Sequence, residues 1–297
     1  LKELGADVTA VTATTCHLTP IGRANIDNLA RHVRTIEVTP NMTVRGKLNR
    51  LALELVGDCS WAEHVSIHRV PFRVARDLGI KLIMYGECGP ATYGGPEGTD
   101  NIRRMTQRFV SEYGGFLGLR AEDFIGQEGI TVNDMADYLA PSDDDLDAMG
   151  IEAHFLGYFE EWDSHRNAKV AKDHGMTQKL PCLANYWEAE NLDNAQTWAG
   201  HDFLGWLKYG YGRYVAQISV DIRSGLILRD EARKRAESWD GRFPDYYLGI
   251  SIDDVLERID LSRGGFLAIC NKHMNGNLFV EKSLNWGQRL TLRDGWH

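Results

Sequence analysis

The chain has no apolar run that approaches the ~20 residues of a membrane-spanning helix, and no secretory signal peptide opens it. Its five cysteines are too irregularly spaced for the disulfide framework of a small secreted protein. It also lacks a basic block, since 42 acidic and 33 basic residues give a net charge of -9. This acidic balance argues against nucleic acid or a membrane surface as the main partner, although local basic clusters remain compatible with it. These absences predict a soluble, cytoplasmic protein.

What the sequence does contain is an alternation of strand-like and helix-like segments along the first hundred residues. The predicted elements are, in order, a strand at 8–13, a helix at 23–33, a strand at 34–40, helices at 42–58 and 64–79, and a strand at 80–86. This alternation predicts an α/β fold with a parallel sheet that helices cover on both faces. Such sheets bind ligands at the carboxyl ends of their strands, so the loops at 12–22 and 86–95 are candidate ligand-binding loops.

Beyond about residue 100 the pattern becomes mainly helical. The acid-rich segment at 141–150 is typical of a solvated turn or of the N-terminus of a helix. Residues 151–175 predict a short strand followed by a helix, and residues 224–263 predict three short helices. We therefore expect one main domain with a helical C-terminal region.

A possible zinc-binding pattern is formed by Cys59, His64 and His68. If residues 63–77 are helical, the two histidines share one face of the helix at i and i+4, as zinc ligands can. The structural alternative is a buried thiol and two packed or surface histidines. It is favoured because the spacing is looser than in established zinc motifs.

The stretch DFLGWLKYGYGRYVAQISVDIRSG combines aromatics, glycines and charges of both signs. The structural interpretation is a helix that ends at Gly210 or Gly212, followed by an amphipathic segment with Val215, Ile218 and Val220 turned inward. The functional interpretation is a substrate-binding surface, on which glycines let a ligand approach the backbone and charges hold its polar groups.

A set of stretches in fixed order resembles the N-acetyl sugar amidotransferases of surface-polysaccharide and lipopolysaccharide biosynthesis, which belong to the PP-loop ATP pyrophosphatases. The resemblance covers roughly residues 8–260. The stretches are KLNRLALELVGDCSW, YGECGPATYGG, LGYFEEWDSHRNAKVAKDHG, NYWEAENLDN, HDFLGWLKYGYGR, ISVDIRSG and LRDEARKRAESWDG.

The resemblance implies an adenine nucleotide α-hydrolase-like fold and a use for ATP and Mg²⁺. The implied reaction converts the acetamido group of a nucleotide-linked sugar to an acetamidino group. An amide oxygen is a poor leaving group, so the family first adenylates it, and ammonia then displaces AMP. In that family a separate glutaminase subunit supplies the ammonia, and this sequence has no evident cysteine setting for glutamine hydrolysis.

The chain departs from the family in one important respect. The family's pyrophosphate-binding loop, of the form SGGxDS, and its amino-terminal Cys-x-x-Cys stretch are both absent from the 297 residues. The opening LKELG is typical of the end of a helix, so we expect that the chain is a carboxy-terminal portion of a longer protein. On this view residues 1–100 are part of a nucleotide-binding α/β domain without its first strand and PP-loop, and residues 101–297 are the remainder of that domain and the C-terminal region.

Other interpretations stay open at this point. A separate chain could supply the loop, or catalysis could have been lost, which would make the protein a non-catalytic scaffold or pseudoenzyme. Another adenylating PP-loop activity, on a nucleobase or on RNA, would suit the same fold, although the acidic charge weighs against RNA.

The resemblance also implies roles for the two candidate loops. In the first loop, Val11, Thr12, Ala13 and Thr14 would face adenine and ribose. In the second, the cofactor-binding residues would be Gly86, Tyr93, Gly94 and Gly95. Glu87 would act in catalysis by holding Mg²⁺ or orienting ammonia. The structural alternatives are an ordinary strand end and a glycine turn.

In the stretch DFLGWLKYGYGRYVAQISVDIRSG the resemblance implies a surface for a nucleotide sugar. Lys208 and Arg213 would contact phosphate, and Tyr209 and Tyr211 would pack on the sugar or the base. Asp221 would bind sugar hydroxyls or form a structural pair with Arg223, which is itself a candidate for substrate binding. Weaker candidates for the same surface are Trp187, Glu188 and Glu190.

Overall fold

The computed structural model describes residue 1 and residues 4–86, 104–179 and 186–293. The chain forms two compact units, each built from separated segments. Unit 1 contains Leu1–Thr14, Asn25–Arg45 and Trp61–Met176, and unit 2 contains Thr15–Ala24, Gly46–Ser60 and Thr177–His297. The division into residues 1–100 and 101–297 stays a prediction.

The predicted amino-terminal β-α-β motif is confirmed. Strand β1 (Thr9–Ala13) and strand β2 (Arg34–Val38) pair in parallel, with Val11 opposite Ile36, and helix α1 (Pro20–Leu29) lies between them in the sequence. Both strands are rich in valine, threonine and isoleucine, whose branched side chains pack well on a pleated sheet.

A second parallel pair follows in unit 1. Strand β3 (Leu82–Tyr85) pairs with strand β4 (Glu152–Phe155), and Tyr85 lies opposite Phe155 at their carboxyl ends. Within the described ranges the two pairs are separate two-stranded sheets. The fold is therefore mixed α/β with small parallel sheets, and the adenine nucleotide α-hydrolase-like arrangement stays a prediction.

The helices of unit 1 surround an aromatic core. Helix α3 (Trp61–Leu78) places Trp61 against Phe124, with ring centroids 4.5 Å apart, and against Tyr138 at 6.2 Å. Offset and tilted aromatic pairs of this kind add to the free energy gained by burial. The other helices that begin in this unit are α2 (Met42–Val56), which continues into unit 2, α4 (Gln107–Tyr113), α5 (Asp143–Met149) and α6 (Ser164–Asp173).

The acid-rich segment forms the N-terminus of α5, which confirms one of the two predicted alternatives. The Ser142 hydroxyl accepts the backbone N–H of Asp145, and the Asp145 carboxylate accepts the backbone N–H of Ser142. This reciprocal capping box satisfies backbone donors that a helix start leaves unpaired. The acidic residues of the first turn also complement the helix dipole.

Unit 2 is mainly helical, as predicted for the C-terminal region. A π-helical turn (Trp198–Asp202) runs into α7 (Phe203–Tyr209), and the remaining elements are α8 (Arg213–Arg223), α9 (Arg229–Trp239), β5 (Tyr246–Tyr247), β6 (Ile250–Ser251), α10 (Ile252–Arg258) and α11 (Arg263–His273). Only two helices lie within 224–263, because the third begins at Arg263. The antiparallel β5–β6 hairpin was not predicted, since two-residue strands are too short to show a period.

The core of unit 2 joins residues that lie far apart in the sequence. Leu53 and Cys59 pack in one buried cluster with Phe203, Trp206 and Phe279. Among the described residues, no helix is long and apolar enough to cross a membrane.

Candidate functional site

The stretch singled out in the sequence folds as two helices joined by a short turn in unit 2. Helix α7 ends at Gly210, whose φ of 78° lies in the left-handed region that glycine adopts without a steric penalty. Gly212 then precedes α8. This confirms the predicted helix end at Gly210. The π-helical turn that begins the segment is a rare conformation that occurs often at functional sites.

The π-helical turn carries His201, which the sequence did not single out. Its Nδ1 lies 2.6 Å from Oδ2 of Asp58, and the other Asp58 oxygen accepts the backbone N–H of Ser60 at 2.8 Å. The His201 side chain is 28% exposed and that of Asp58 is 6% exposed. Burial favours the neutral imidazole, but the charge and hydrogen bond of Asp58 and the charge of Asp202 together outweigh it and raise the pKa of His201. The ring is thus held in a fixed orientation at a partly open position, and its cationic form is favoured.

The guanidinium of Arg213 is engaged inside the protein. Its Nε and Nη2 both donate to Oδ1 of Asp202, at 3.1 and 2.9 Å, and Oε1 of Glu190 lies 3.9 Å from its Nη1. The Arg213 and Asp202 side chains are nearly buried. Arg213 therefore carries a charge that a carboxylate matches, and its predicted phosphate contact stays a prediction.

The N-terminus of α8 is occupied by a carboxylate of the same chain. Asp240 accepts the backbone N–H groups of Gly212 at 2.9 Å, Tyr214 at 3.1 Å and Val215 at 3.2 Å. Burial raises the pKa of Asp240 to about 6, although these three hydrogen bonds oppose the shift. A helix N-terminus attracts anions, and here Asp240 takes that position.

Asp202, Arg213 and Asp240 line a small cavity together with the rings of Trp206 and Trp239. The cavity holds about one water molecule, so it is too small for a sugar or a nucleotide.

Tyr209 and Tyr211 lie at the surface beside Lys208. Each tyrosine is more than half exposed, and their rings stack with centroids 6.1 Å apart and an interplanar angle of 29°. The Lys208 Nζ donates to the backbone oxygen of Val56 at 3.2 Å and lies 5.4 Å from the centroid of the Tyr209 ring. Burial lowers the pKa of Lys208. The segment thus presents two aromatic rings and a partly desolvated cation, groups that suit a ligand with a ring and an anionic part.

Asp221 and Trp187, both candidates from the sequence, meet on the buried side of α8. Oδ1 of Asp221 accepts the indole N–H of Trp187 at 3.2 Å, and Asp221 is only 3% exposed. The side-chain oxygen of Gln217 accepts the backbone N–H of Trp187 at 3.2 Å, and its amide donates to Glu190. The structure therefore brings Asp221, Trp187 and Glu190 into one polar group around Gln217, while Arg223 lies at the exposed end of α8. Their roles in catalysis or substrate binding stay predictions.

The inward face of α8 differs in part from the prediction. Ile218 is buried as expected, but Val215 and Val220 are only half-buried, so that part of the prediction was wrong. The buried residues are Tyr214, Gln217, Ile218 and Asp221, which follow the helical spacing i, i+3, i+4 and i+7. A helix turns polar residues inward when they fall on the correct face and find hydrogen-bond partners there.

The first predicted cofactor loop lies at the carboxyl end of β1, in unit 1. Val11, Thr12, Ala13 and Thr14 are all half-buried there. The Thr14 hydroxyl donates to Oε1 of the exposed Glu37 at 3.0 Å and lies 3.0 Å from the Thr39 hydroxyl.

Of the second loop only Gly86 is described, and Glu87, Tyr93, Gly94 and Gly95 lie outside the described residues.

The side chains of the possible zinc pattern make contacts other than metal coordination. The predicted helix over 63–77 is confirmed, since α3 spans Trp61–Leu78. The Nδ1 of His64 lies 3.3 Å from the backbone oxygen of Gly115, and burial lowers the pKa of His68 to about 3. Cys59 is buried with its thiol 3.6 Å from the backbone oxygen of Gln196. In the part of the chain that the structure describes, no group of three or more His, Cys, Asp or Glu side chains is placed to hold a metal ion.

Comparison with known sequences adds one finding. No curated protein matches the chain. A family model does match, over residues 184–291, which include the π-helical turn, α7 and α8. Over these residues the chain is similar to the family described as LPS biosynthesis protein WbpG-like, C-terminal domain.

Proposed function

We propose that the chain takes part in lipopolysaccharide biosynthesis as an ATP-dependent amidotransferase that converts the acetamido group of a nucleotide-linked sugar to an acetamidino group. The match of residues 184–291 to the WbpG-like C-terminal domain carries this proposal. It supports the resemblance found in the sequence, and it covers the segment with the exposed tyrosine pair.

The tyrosine pair supports the substrate part of the proposal. Tyr209 and Tyr211 expose aromatic faces side by side, and nucleotide and sugar rings pack on such faces. Lys208 lies against Tyr209, where a phosphate attached to the packed ring would be within reach.

The carboxyl ends of β1 and β2 support the ATP part. Thr14, Glu37 and Thr39 place two hydroxyls and a carboxylate together at this end of a parallel strand pair. These groups fit the hydroxyls of a ribose, and strand ends of this type are where α/β proteins bind nucleotides. When bound, ATP would supply the adenylyl group that makes the amide oxygen a leaving group. Mg²⁺ and an ammonia-delivering glutaminase partner belong to the same proposal.

The test is a direct assay of the protein encoded by the complete reading frame. The protein is incubated with ATP, Mg²⁺, isotopically labelled ammonium and a UDP-linked N-acetyl sugar, and the sugar is analysed by mass spectrometry. We expect ATP-dependent replacement of the acetamido oxygen by labelled nitrogen, together with release of AMP. Sugar that stays unlabelled with ammonium, and also with glutamine and a glutaminase partner, would contradict the proposed reaction.

A matched pair of variants tests the tyrosine surface in the same assay. Tyr211→Ala should raise KM for the nucleotide sugar about tenfold, because loss of one ring-stacking contact is worth roughly 1–3 kcal/mol. Tyr246→Ala removes an equally exposed tyrosine from the β5–β6 hairpin and should leave KM unchanged. Equal KM values for the two variants would exclude Tyr211 from the substrate surface.

A further inference from the structure

We propose that basic side chains gathered around the carboxyl end of α2 bind the diphosphate of a nucleotide ligand. These side chains, here called the α2-end cluster, are His201, Lys208, Lys272 and His273. Of the four, only Lys208 is a substrate-binding residue predicted from the sequence. Arg213, which was predicted to contact phosphate with it, is not part of the cluster.

The members of the cluster converge on one short segment of unit 2. Lys208 donates to the backbone oxygen of Val56, and Lys272 donates to the backbone oxygen of Glu54. The Nε2 of His273 lies 3.2 Å from that same Glu54 oxygen, and the His201 ring contacts the Asp58 carboxylate. All four contacts are made to residues within 54–58, namely Glu54, Val56 and Asp58.

The two lysines and His201 supply the positive charge of the cluster, because burial lowers the pKa of His273 and favours its neutral form. The Asp58 carboxylate is in direct contact with the His201 ring, and Asp202, which lies 3.9 Å from the same ring, is paired with Arg213. Among the described residues, neither Lys208 nor Lys272 has a carboxylate within ion-pair distance, and Glu54 is the remaining acid on this segment. An excess of cations in a chain of net charge -9 marks a local anion-binding surface.

The lysines also retain hydrogen-bonding capacity. An ammonium group has three N–H donors, and the contacts above use one donor of Lys208 and one of Lys272. The remaining donors can reach phosphate oxygens. Lys208 is partly desolvated, and burial lowers its pKa, so an anion beside it would restore the stabilisation that water no longer gives.

The structural alternative is that these side chains only cap the last carbonyls of α2. Lysine and histidine do stabilise helix C-termini in this way. Capping accounts for the contacts to Glu54 and Val56, but it does not account for the exposed Tyr209–Tyr211 stack beside Lys208. A diphosphate on the cluster and a base or sugar on the tyrosines would use both features together.

Arg213 is left out of this site for a physical reason. Its guanidinium donates twice to Asp202, and both side chains are nearly buried. Removing Asp202 from this pair in order to bind a phosphate would leave a buried carboxylate without its partner, which is costly.

The experiment is titration calorimetry with UDP at low ionic strength, which requires no turnover. Lys208→Gln should weaken UDP binding about tenfold, because a charge-assisted hydrogen bond to phosphate is worth about 1.4 kcal/mol or more. Lys272→Gln should weaken it several-fold. Lys282→Gln removes an exposed lysine elsewhere in unit 2 and should have no effect. Pyrophosphate should show the same dependence on Lys208, and uridine should bind far more weakly than UDP.

Several results would overturn the inference. It fails if UDP does not bind the unmodified protein, or if Lys208→Gln and Lys282→Gln bind UDP equally well. It also fails if Lys208→Gln lowers the melting temperature and leaves UDP affinity unchanged, because the side chain would then be only a helix cap. The choice of a nucleotide ligand rests on the proposed function, but the two are separable. If the protein is inactive but binds UDP through Lys208, the result supports the α2-end cluster and not the amidotransferase reaction. If the enzyme is active and Lys208→Gln does not change UDP binding, the result supports the reaction and not the cluster.

Discussion

Two opposing effects act on the pKa of His201, which contacts Asp58. Removal of the ring from water favours the neutral imidazole and lowers its pKa. The carboxylate at 2.6 Å favours the imidazolium, and its attraction is strengthened because Asp58 is itself nearly buried. Burial is the largest single effect, but the charge and the hydrogen bond of Asp58, together with the charge of Asp202, outweigh it, so the pKa of His201 is raised above its ordinary value of about 6.5.

This contact predicts a pH-dependent stability. A histidine whose pKa is higher in the folded state stabilises the protein fully below the unfolded pKa of about 6.5, and this stabilisation is lost as the pH rises through the folded pKa. Asp58→Asn should lower the pKa of His201, measured by NMR, and should reduce the free energy of unfolding by about 3 kcal/mol at acidic pH. The loss should be smaller at alkaline pH.

Urea unfolding across the pH range gives the second measurement, and Asp245→Asn, which removes an exposed carboxylate, serves as the control. If the Asp58→Asn protein keeps the pH dependence of the unmodified protein, the pair does not set the charge of His201.

The turn after α9 shows how closely the helices of unit 2 pack. Gly241 has a φ of 76°, and a Cβ at this position would lie 2.2 Å from a ring carbon of Trp206 in α7. Such a distance is far shorter than any van der Waals contact, and Trp206 is buried in the core cluster, where it cannot move aside freely. The absence of a side chain at Gly241 therefore permits the close approach of this turn to α7.

Two alanine substitutions separate this steric effect from backbone strain. Gly225 also has a positive φ, of 70°, but an added Cβ would meet no atom within 4 Å. Gly225→Ala should therefore cost only the strain of the left-handed conformation, about 1 kcal/mol. Gly241→Ala should cost roughly 3 kcal/mol because it adds overpacking of the core. Equal losses in urea unfolding followed by circular dichroism would show that the turn moves away from Trp206 at little cost.

Unit 2 is larger than the segment that matches the WbpG-like domain. It includes Thr15–Ala24 and Gly46–Ser60, which precede residues 184–291 by more than a hundred positions. Leu53 and Cys59 from the second of these segments lie in the main core cluster, and Asn49 donates to Gln196 at 3.1 Å. From the first segment, the His17 ring lies 3.1 Å from the backbone oxygen of Asp254. The matched residues thus depend on earlier parts of the chain for their packing.

A fragment of residues 177–297 should consequently fail to fold alone. It would expose the apolar surface that Leu53 and Cys59 cover, and it would lose the buried hydrogen bond between Asn49 and Gln196. We expect weak near-ultraviolet circular dichroism and rapid proteolysis for the fragment, and a cooperative melting transition for the whole chain. A cooperative transition in the fragment would show that residues 177–297 are an independent domain.

The features that the sequence determined are those set by neighbouring residues. The β-α-β unit, helices α2 and α3 and the strand that became β3 follow from hydrophobic periodicity within a few turns or a few residues. The capping box at Ser142 and the end of α7 at Gly210 follow from residue types whose local chemistry favours those positions. The similarity of residues 184–291 to the WbpG-like C-terminal domain agrees with the resemblance that the short ordered stretches indicated.

The partners of charged side chains were decided only by the tertiary structure. The resemblance implies a phosphate contact for Arg213, but its carboxylate partner, Asp202, lies 11 positions away, across a turn. His201 and Asp58 are 143 positions apart, and no periodic pattern in the sequence connects them. Hydrophobic periodicity indicates which face of a helix is buried, because the burial of a face depends on the spacing of residues along one element. Local patterns do not indicate which distant element packs on that face. The packing of distant elements determines whether a cationic side chain pairs with a carboxylate of its own chain or can bind a ligand.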